Sequence, residues 1–220
     1  MGDRMKMNVY IVAVTLALLA NLLCPMFNPT STVHGFMVIN VPDDYPTIQE
    51  AVNAANPGDT IIVSSGIYYE HITISKNHLT LLGENPSSTI IDGNGIGPII
   101  YLPANDTTIM GFTIRNSGEE EDTGKPGLYI KFACCNTLAN NIFYNCWIGI
   151  EVEGNMSYNS WSNKIIGNTL IDNEKGILLT KFSVANIVSG NTVTKSVEGI
   201  YLTAYSSNNT INENTVTNND

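Results

Sequence analysis

One unit repeats along the second half of the chain, and it constrains the fold more than any other feature. It reads N-x-Φ-x-x-N-x-Φ, with Φ a large apolar residue, and a Gly-Ile pair follows after a short gap. The first Asn falls at Asn136, Asn163, Asn186 and Asn209, the second at Asn141, Asn168, Asn191 and Asn214. Both series step by 27, 23 and 23 residues, and the pairs Gly149-Ile150, Gly176-Ile177 and Gly199-Ile200 keep phase with them. An earlier, degenerate copy runs from Thr107 through Phe112 to Gly127-Leu128. Self-similarity at this period marks a stacked-repeat architecture.

Each repeat holds three short alternating runs, rich in β-branched residues and too short for helices. Three strands in about 23 residues make one coil of an all-β, right-handed parallel β-helix. A single coil buries too little to hold itself, whereas stacked coils share strand ladders and one continuous core. The phase predicts the inward columns. They are Ile109, Leu138, Ile165, Val188 and Ile211; Ile114, Phe143, Leu170, Val193 and Val216; and Leu128, Ile150, Ile177 and Ile200. The second Asn is expected at a tight corner, where Asn tolerates left-handed backbone. Its amide can bond the same Asn one coil away, across the ~4.8 Å strand spacing. Asn141, Asn168, Asn191 and Asn214 are therefore read as a structural ladder, with Asn173 off it.

The segment before the coils reads as a cap. Thr47-Ile48-Gln49-Glu50 is a capping box behind Pro46, and Ile48, Ala51, Val52 and Ala55 share one apolar face. A short helix ending at Asn56-Pro57-Gly58-Asp59 would cover the open first coil, which otherwise exposes strand edges. This gives three regions: 1–35 as an export signal, 36–58 as the cap, and 59–220 as coils. The final unit stops at Asp220, before its Gly is due, and the array is read as cut within a longer one.

The export signal rests on Arg4 and Lys6 ahead of an apolar run from Val9 to Leu23. That run is shorter than the ~20 residues that span a bilayer, and it fits a signal peptide, with an uncleaved anchor as the alternative. Cleavage after Val33-His34-Gly35 would start the mature chain near Phe36. The expectation is a secreted or cell-surface protein that meets a membrane only through this segment.

Charge narrows the partners. The chain carries 20 acids against 10 bases, a formal charge of −10. Nucleic acid and anionic membrane surfaces want basic patches, so neither is expected. Cys134, Cys135 and Cys146 have no CxxC spacing and read as buried thiols, with at most one bridge to Cys146. Asn105, Asn155 and Asn208 begin glycosylation sequons. Gly118 and Gly124 flank an acidic loop, Glu119-Glu120-Glu121-Asp122. It reads as a solvated charge run, with a weak calcium site as the sharper alternative because hard cations want several carboxylates.

The stretch from Tyr45 to Val63, followed by Gly66-Ile-Tyr-Tyr-Glu and Thr80-Leu-Leu-Gly, resembles the opening coils of pectin-lyase-like β-helix proteins. With the Asn-rich units after it, the chain resembles more closely the NosD-like and related surface β-helix repeat proteins of archaea and bacteria. The resemblance covers nearly all of residues 41–220. It implies the fold and leaves activity open, because this fold hosts many chemistries and some pure scaffolds. The catalytic patterns of polygalacturonase-like, pectinesterase-like and pectate-lyase-like chains do not match here. Arg115, the one Arg beyond the signal, lies beside the acidic loop, which could simply pair with it. The NosD-like resemblance implies a role in copper-enzyme maturation, yet His71 and His78 form no copper pattern.

Three functions follow: an exported or cell-surface scaffold that binds glycan or other surface components without chemistry; a polysaccharide lyase, hydrolase or epimerase; and an accessory of copper-enzyme assembly. Alternation places two outward columns on the Gly-Ile strand: Tyr129, Glu151, Leu178 and Tyr201, then Lys131, Glu153, Thr180 and Thr203. Insertions at 117–126 and 154–162 flank this sheet, so a groove for an extended chain is expected. Tyr129, Tyr201 and Trp161 are the candidates to stack on sugar rings. If the protein is an enzyme, Lys131, Glu151 and Glu153 are the candidates for acid–base work. No cofactor is expected beyond possible calcium.

Overall fold

The structure is a computed structural model and describes residues 35–118 and 125–219. The expected signal, apart from Gly35, and the acidic run 119–122 lie outside the described residues.

The coils stack into three long parallel sheets, with a fourth of only two strands, Ser160–Trp161 beside Ser183–Val184. The first has eight strands: Val38–Val41, Thr60–Val63, Thr80–Gly83, Thr108–Met110, Thr137–Ala139, Lys164–Ile166, Ile187–Ser189 and Thr210–Asn212. The second has seven, from Gly66–Tyr68 through Thr113–Gly118 and Ile142–Cys146 to Thr215–Thr217. The third has six: Ile72–Thr73, Ile100–Leu102, Pro126–Lys131, Ile148–Glu153, Lys175–Thr180 and Glu198–Leu202. Each coil visits the sheets in that order, giving a right-handed parallel β-helix. All three inward columns pair in the expected register: Leu138 with Ile109 and Ile165, Phe143 with Ile114 and Leu170, Ile150 with Leu128 and Ile177. Their middle members are fully buried.

The corners differ from expectation in an instructive way. Left-handed backbone does not fall on the ladder Asn but on the residue before it: Asn140, Gly167, Gly190 and Glu213 precede Asn141, Asn168, Asn191 and Asn214. The turn residue is a glycine or carries its side chain outside, as Asn140 and Glu213 do, and the next residue turns inward to bond along the stack. Asn168 shows the scheme. Its Oδ1 accepts from the Asn141 backbone N–H at 3.0 Å and from Asn141 Nδ2 at 3.2 Å. Its own Nδ2 donates to the Leu138 carbonyl at 2.9 Å. Both ends of the buried carboxamide are thereby partnered, as burial of a polar group requires.

Two more ladders accompany this one. Asn136, Asn163, Asn186 and Asn209 repeat the same bonds at the corner before the first sheet, each behind its own left-handed residue. A third corner, between the second and third sheets, puts Cys146, Asn173, Ser196 and Asn219 behind Asn145, Asp172, Lys195 and Asn218. Asn173 is therefore not off the ladder. It is buried, accepts from the Cys146 N–H at 2.9 Å, and donates to the Phe143 carbonyl at 3.2 Å.

The Gly-Ile motif also has a steric cause. A Cβ on Gly176 would sit 2.4 Å from the Gly199 carbonyl oxygen and 2.5 Å from Val193 Cγ1. The inward side chains of the second sheet press onto this glycine column, so the third corner closes only without a Cβ.

The helix α1, Ile48–Ala54, buries Ile48, Ala51 and Val52 as expected, and Ala55 beyond its end. Thr47 Oγ1 accepts from the Glu50 N–H at 3.1 Å. The next orphan donors, the Ile48 and Gln49 N–H groups, are met by Glu70, at 3.0 Å each. The following coil thus caps the helix across space, alongside the local cap. The expected cap segment is itself part of the solenoid, since Val38–Val41 already pairs with Thr60–Val63. Arg115 Nε meets Asp92 Oδ2 of the preceding coil at 2.7 Å; the acidic run beside which it was placed lies outside the described residues.

Candidate functional site on the third sheet

The third sheet gathers most of the charged and aromatic side chains that alternation points outward. Register puts Tyr129 beside Glu151, Glu151 beside Leu178, and Leu178 beside Tyr201, with Lys131 beside Glu153 and Glu153 beside Thr180. The two carboxyl groups do not lie open on a flat sheet. Glu151 is 8% exposed and Glu153 7%.

Glu153 is held from several sides. Tyr129 Oη donates to its Oε2 at 2.5 Å, while Lys181 Nζ and Lys131 Nζ lie 3.4 and 3.7 Å from its Oε1. This fixes the Tyr129 ring, whose hydroxyl is pushed well above its usual pKa by burial and by the bond to Glu153. Lys131 also lies 5.2 Å from the centroid of that ring, a cation–π contact. Tyr101, one coil earlier, adds a second ring at 5.8 Å.

Glu151 is different. No hydrogen bond reaches its carboxyl among the described residues. Burial, then the neighbouring Glu153 carboxylate, raises its pKa to about 7, against the pull of Lys181 and Lys131. A carboxyl that keeps its proton close to neutral pH is suited to giving it up. The expected trio thus divides: Lys131 is engaged with Glu153, Glu153 is an anchored carboxylate, and Glu151 is the group with a mobile proton.

At the far end, Lys175 pairs with Glu198 and lies 5.2 Å from the centroid of the Tyr201 ring. Trp161 is not brought to this face. It lines a separate cleft of about 340 Å³ with Phe132 and Tyr158, at the corner beyond the third sheet. Sequence reasoning missed Tyr101, Lys175 and Lys181. Lys181 follows Thr180 of the outward column and was within reach. Tyr101 belongs to a coil without the Gly-Ile signature. A further cleft, about 800 Å³, follows the third corner past Asn116, Asn145, Trp147 and Asp172.

A family model described as "Periplasmic copper-binding protein (NosD)" matches residues 49–220. The chain belongs to the NosD family. Among curated relatives it is similar to a probable pectinesterase/pectinesterase inhibitor 23 of Arabidopsis thaliana. The two are 35% identical over 94 residues, 38% of this chain and 16% of that protein. A pectinesterase of Petunia integrifolia is 33% identical over 118 residues, 47% of this chain and 30% of that protein. This NosD-family chain therefore spans less than a third of either enzyme's length. Among solved structures, a variant of the catalytic domain of a GH87 α-1,3-glucanase in complex with tetrasaccharides superposes with a TM-score of 0.63. It is 13% identical, over 86% of this chain and 41% of the glucanase chain. ORF18 of Geobacillus virus E2 gives 0.51 at 18% identity, over 78% of this chain and 40% of that one. At such identities the likeness carries the pectin-lyase-like fold alone.

The family description names copper, and the described residues do not fit it. No three His, Cys, Asp or Glu side chains among them come together in a way that could hold a metal ion. His71 Nδ1 lies 3.1 Å from the Pro98 carbonyl, and His78 lies beside Asp106. Cys146 is buried, which pushes its thiol up to about 11 and away from the thiolate a metal needs. Among the described residues no helix is long and apolar enough to cross a membrane.

Proposed function

We propose that this NosD-family solenoid is an extracytoplasmic scaffold that binds an extended glycan along the outward face of its third sheet. The observation that carries the reading is the anchoring of Tyr129. Its ring lies beside Tyr101, its hydroxyl is tied to Glu153, and Lys131 and Lys181 approach the same carboxylate. A sugar ring has an apolar face and a rim of hydroxyls. A fixed aromatic ring next to charged donors meets both without ordering cost at binding. The tetrasaccharides named with the glucanase and the pectinesterases among the relatives support the same ligand class.

Binding to a glycan array and to isolated cell walls tests it. The wild type should bind, and a Tyr129→Ala/Tyr201→Ala double variant should lose at least tenfold in affinity. Equal binding by both would remove this face from consideration.

A second reading, a carbohydrate-active lyase or hydrolase, has Glu151 in its favour, as a proton donor near neutral pH. It predicts cleavage of the bound glycan that Glu151→Gln abolishes while binding persists. Binding without any cleavage by the wild type counts against it. The copper-maturation reading has the family description in support and no ligand cluster among the described residues.

A further inference from the structure

The corner beyond the third sheet carries an aromatic cleft that stands apart from the outward face of that sheet. Left-handed backbone usually takes Gly, Asn or Asp. At this corner it takes Phe132, Phe182 and Tyr205. Phe182 and Tyr205 stack with ring centroids 5.1 Å apart, and Phe132 faces Tyr158 at 6.4 Å. Trp161 and Met156 complete the wall, and Tyr158 is 66% exposed. The loop that supplies Tyr158 is pinned at both ends. Asn155 Oδ1 accepts from the Ser157 and Tyr158 N–H groups at 2.8 and 2.7 Å, and Ser160 Oγ donates to the Glu153 carbonyl at 2.6 Å. The rings are thus presented to solvent by a fixed frame, without a core to fill.

Among the described residues, the lining of this cleft contains no charged side chain, in a chain whose net charge is −10. Lys131 lies 5.2 Å from the centroid of the Phe132 ring, but its ammonium is engaged with Glu153 on the sheet. The polar groups of the lining are amides and hydroxyls, such as Asn105 and Asn159. Exposed aromatic faces with an amide rim and no charge match the chemistry of a neutral sugar: apolar ring faces, and hydroxyls that accept and donate. The cleft volume, about 340 Å³, holds one or two pyranose rings at a time.

We infer that this cleft is a second saccharide site, specific for neutral sugars, separate from the lysine-bearing third sheet. It stands on different residues from the sheet face and does not depend on glycan binding there. Trp161 is its reporter, because the chain has only two tryptophans and Trp147→Phe leaves Trp161 alone.

The experiment titrates Trp147→Phe protein with cellohexaose and with hexagalacturonate, following Trp161 emission. The expected result is a saturable change with cellohexaose and at least tenfold weaker response to hexagalacturonate. Adding Tyr158→Ala should weaken the cellohexaose response at least tenfold, and its high exposure keeps the core out of the result. Adding Phe132→Tyr should retain it. Absence of a saturable response, equal or stronger response to hexagalacturonate, or indifference to Tyr158→Ala overturns the inference. So does a concentration-dependent emission shift without sugar that Tyr158→Ala abolishes, which would make a second copy the occupant. A Tyr129→Ala/Tyr201→Ala background separates the sites. The Trp161 response persists there if the cleft binds on its own, and its loss would make Trp161 only a witness to the sheet.

Discussion

The Asn141 backbone N–H and the Asn141 carboxamide both donate to one atom, Oδ1 of Asn168, at 3.0 and 3.2 Å. One side-chain oxygen therefore satisfies two buried donors of the preceding coil, while the Asn168 amide satisfies a third group, the Leu138 carbonyl. Removing it leaves several polar groups stranded at once.

Asn168→Ala should therefore cost ~1–3 kcal/mol, the penalty of unpaired buried groups. Asn173→Ala should also cost more than ~1 kcal/mol, because it strands the Cys146 N–H and the Phe143 carbonyl. Glu213→Gln, at an exposed corner, should stay within ~0.5 kcal/mol. Urea unfolding of the three variants checks the order. A neutral Asn173→Ala would show that the third corner does not need its amide.

Two glycines separate close packing from backbone conformation. Gly176→Ala forces a Cβ onto the Gly199 carbonyl and Val193, and should cost ~3 kcal/mol or more. Gly190 has φ +64°, and a Cβ there would meet no atom nearer than 4.0 Å. Gly190→Ala should then cost only the left-handed penalty, ~1–2 kcal/mol. Thermal melts that rank Gly190→Ala as the worse variant would contradict the steric account of the Gly-Ile column.

The raised pKa of Glu151 gives a pH signature. An acid ordinarily titrating at 4.5 holds its proton to about 7 in the folded state. Between those values the native protein binds more protons than the unfolded chain, so stability falls as pH rises. Above about 7 both states are ionised and the destabilisation, on the order of 3 kcal/mol, is complete. Unfolding midpoints should drop between about pH 5 and pH 8 in the wild type and lose most of that slope in Glu151→Gln. The neighbours test the cause: Glu153→Gln should move the Glu151 midpoint down, and Lys181→Met should move it up. A midpoint unmoved by both would exclude charge coupling across the sheet.

The repeat phase was sufficient for the coil, the three sheets and the inward columns. In a parallel stack, equal positions in successive repeats must lie above one another, so a period read from Asn141, Asn168, Asn191 and Asn214 also aligns Leu138 with Ile165 and Phe143 with Leu170. The outward columns of Tyr129 and Lys131 were legible by the same rule. What the period could not carry is whatever the corners decide. Left-handed backbone moved one residue ahead of each Asn because a turn needs its side chain outside and a ladder needs one inside. The burial of Glu151 and Glu153 and the bonding of Glu70 to the start of α1 depend on how side chains close over one another, which the period does not state; it placed Lys181 one residue beyond the outward column, but not the turn of its ammonium toward Glu153. Trp161 is the sharpest case. Its insertion was visible, but the direction in which that loop folds is set by Asn155 and Ser160, and it sends the ring to the aromatic corner and away from the sheet. A linear repeat maps directly onto a linear array, so the stack and its columns are written in the period of the chain. Which side chains meet across corners and loops depends on how those segments close in three dimensions, and no period encodes that.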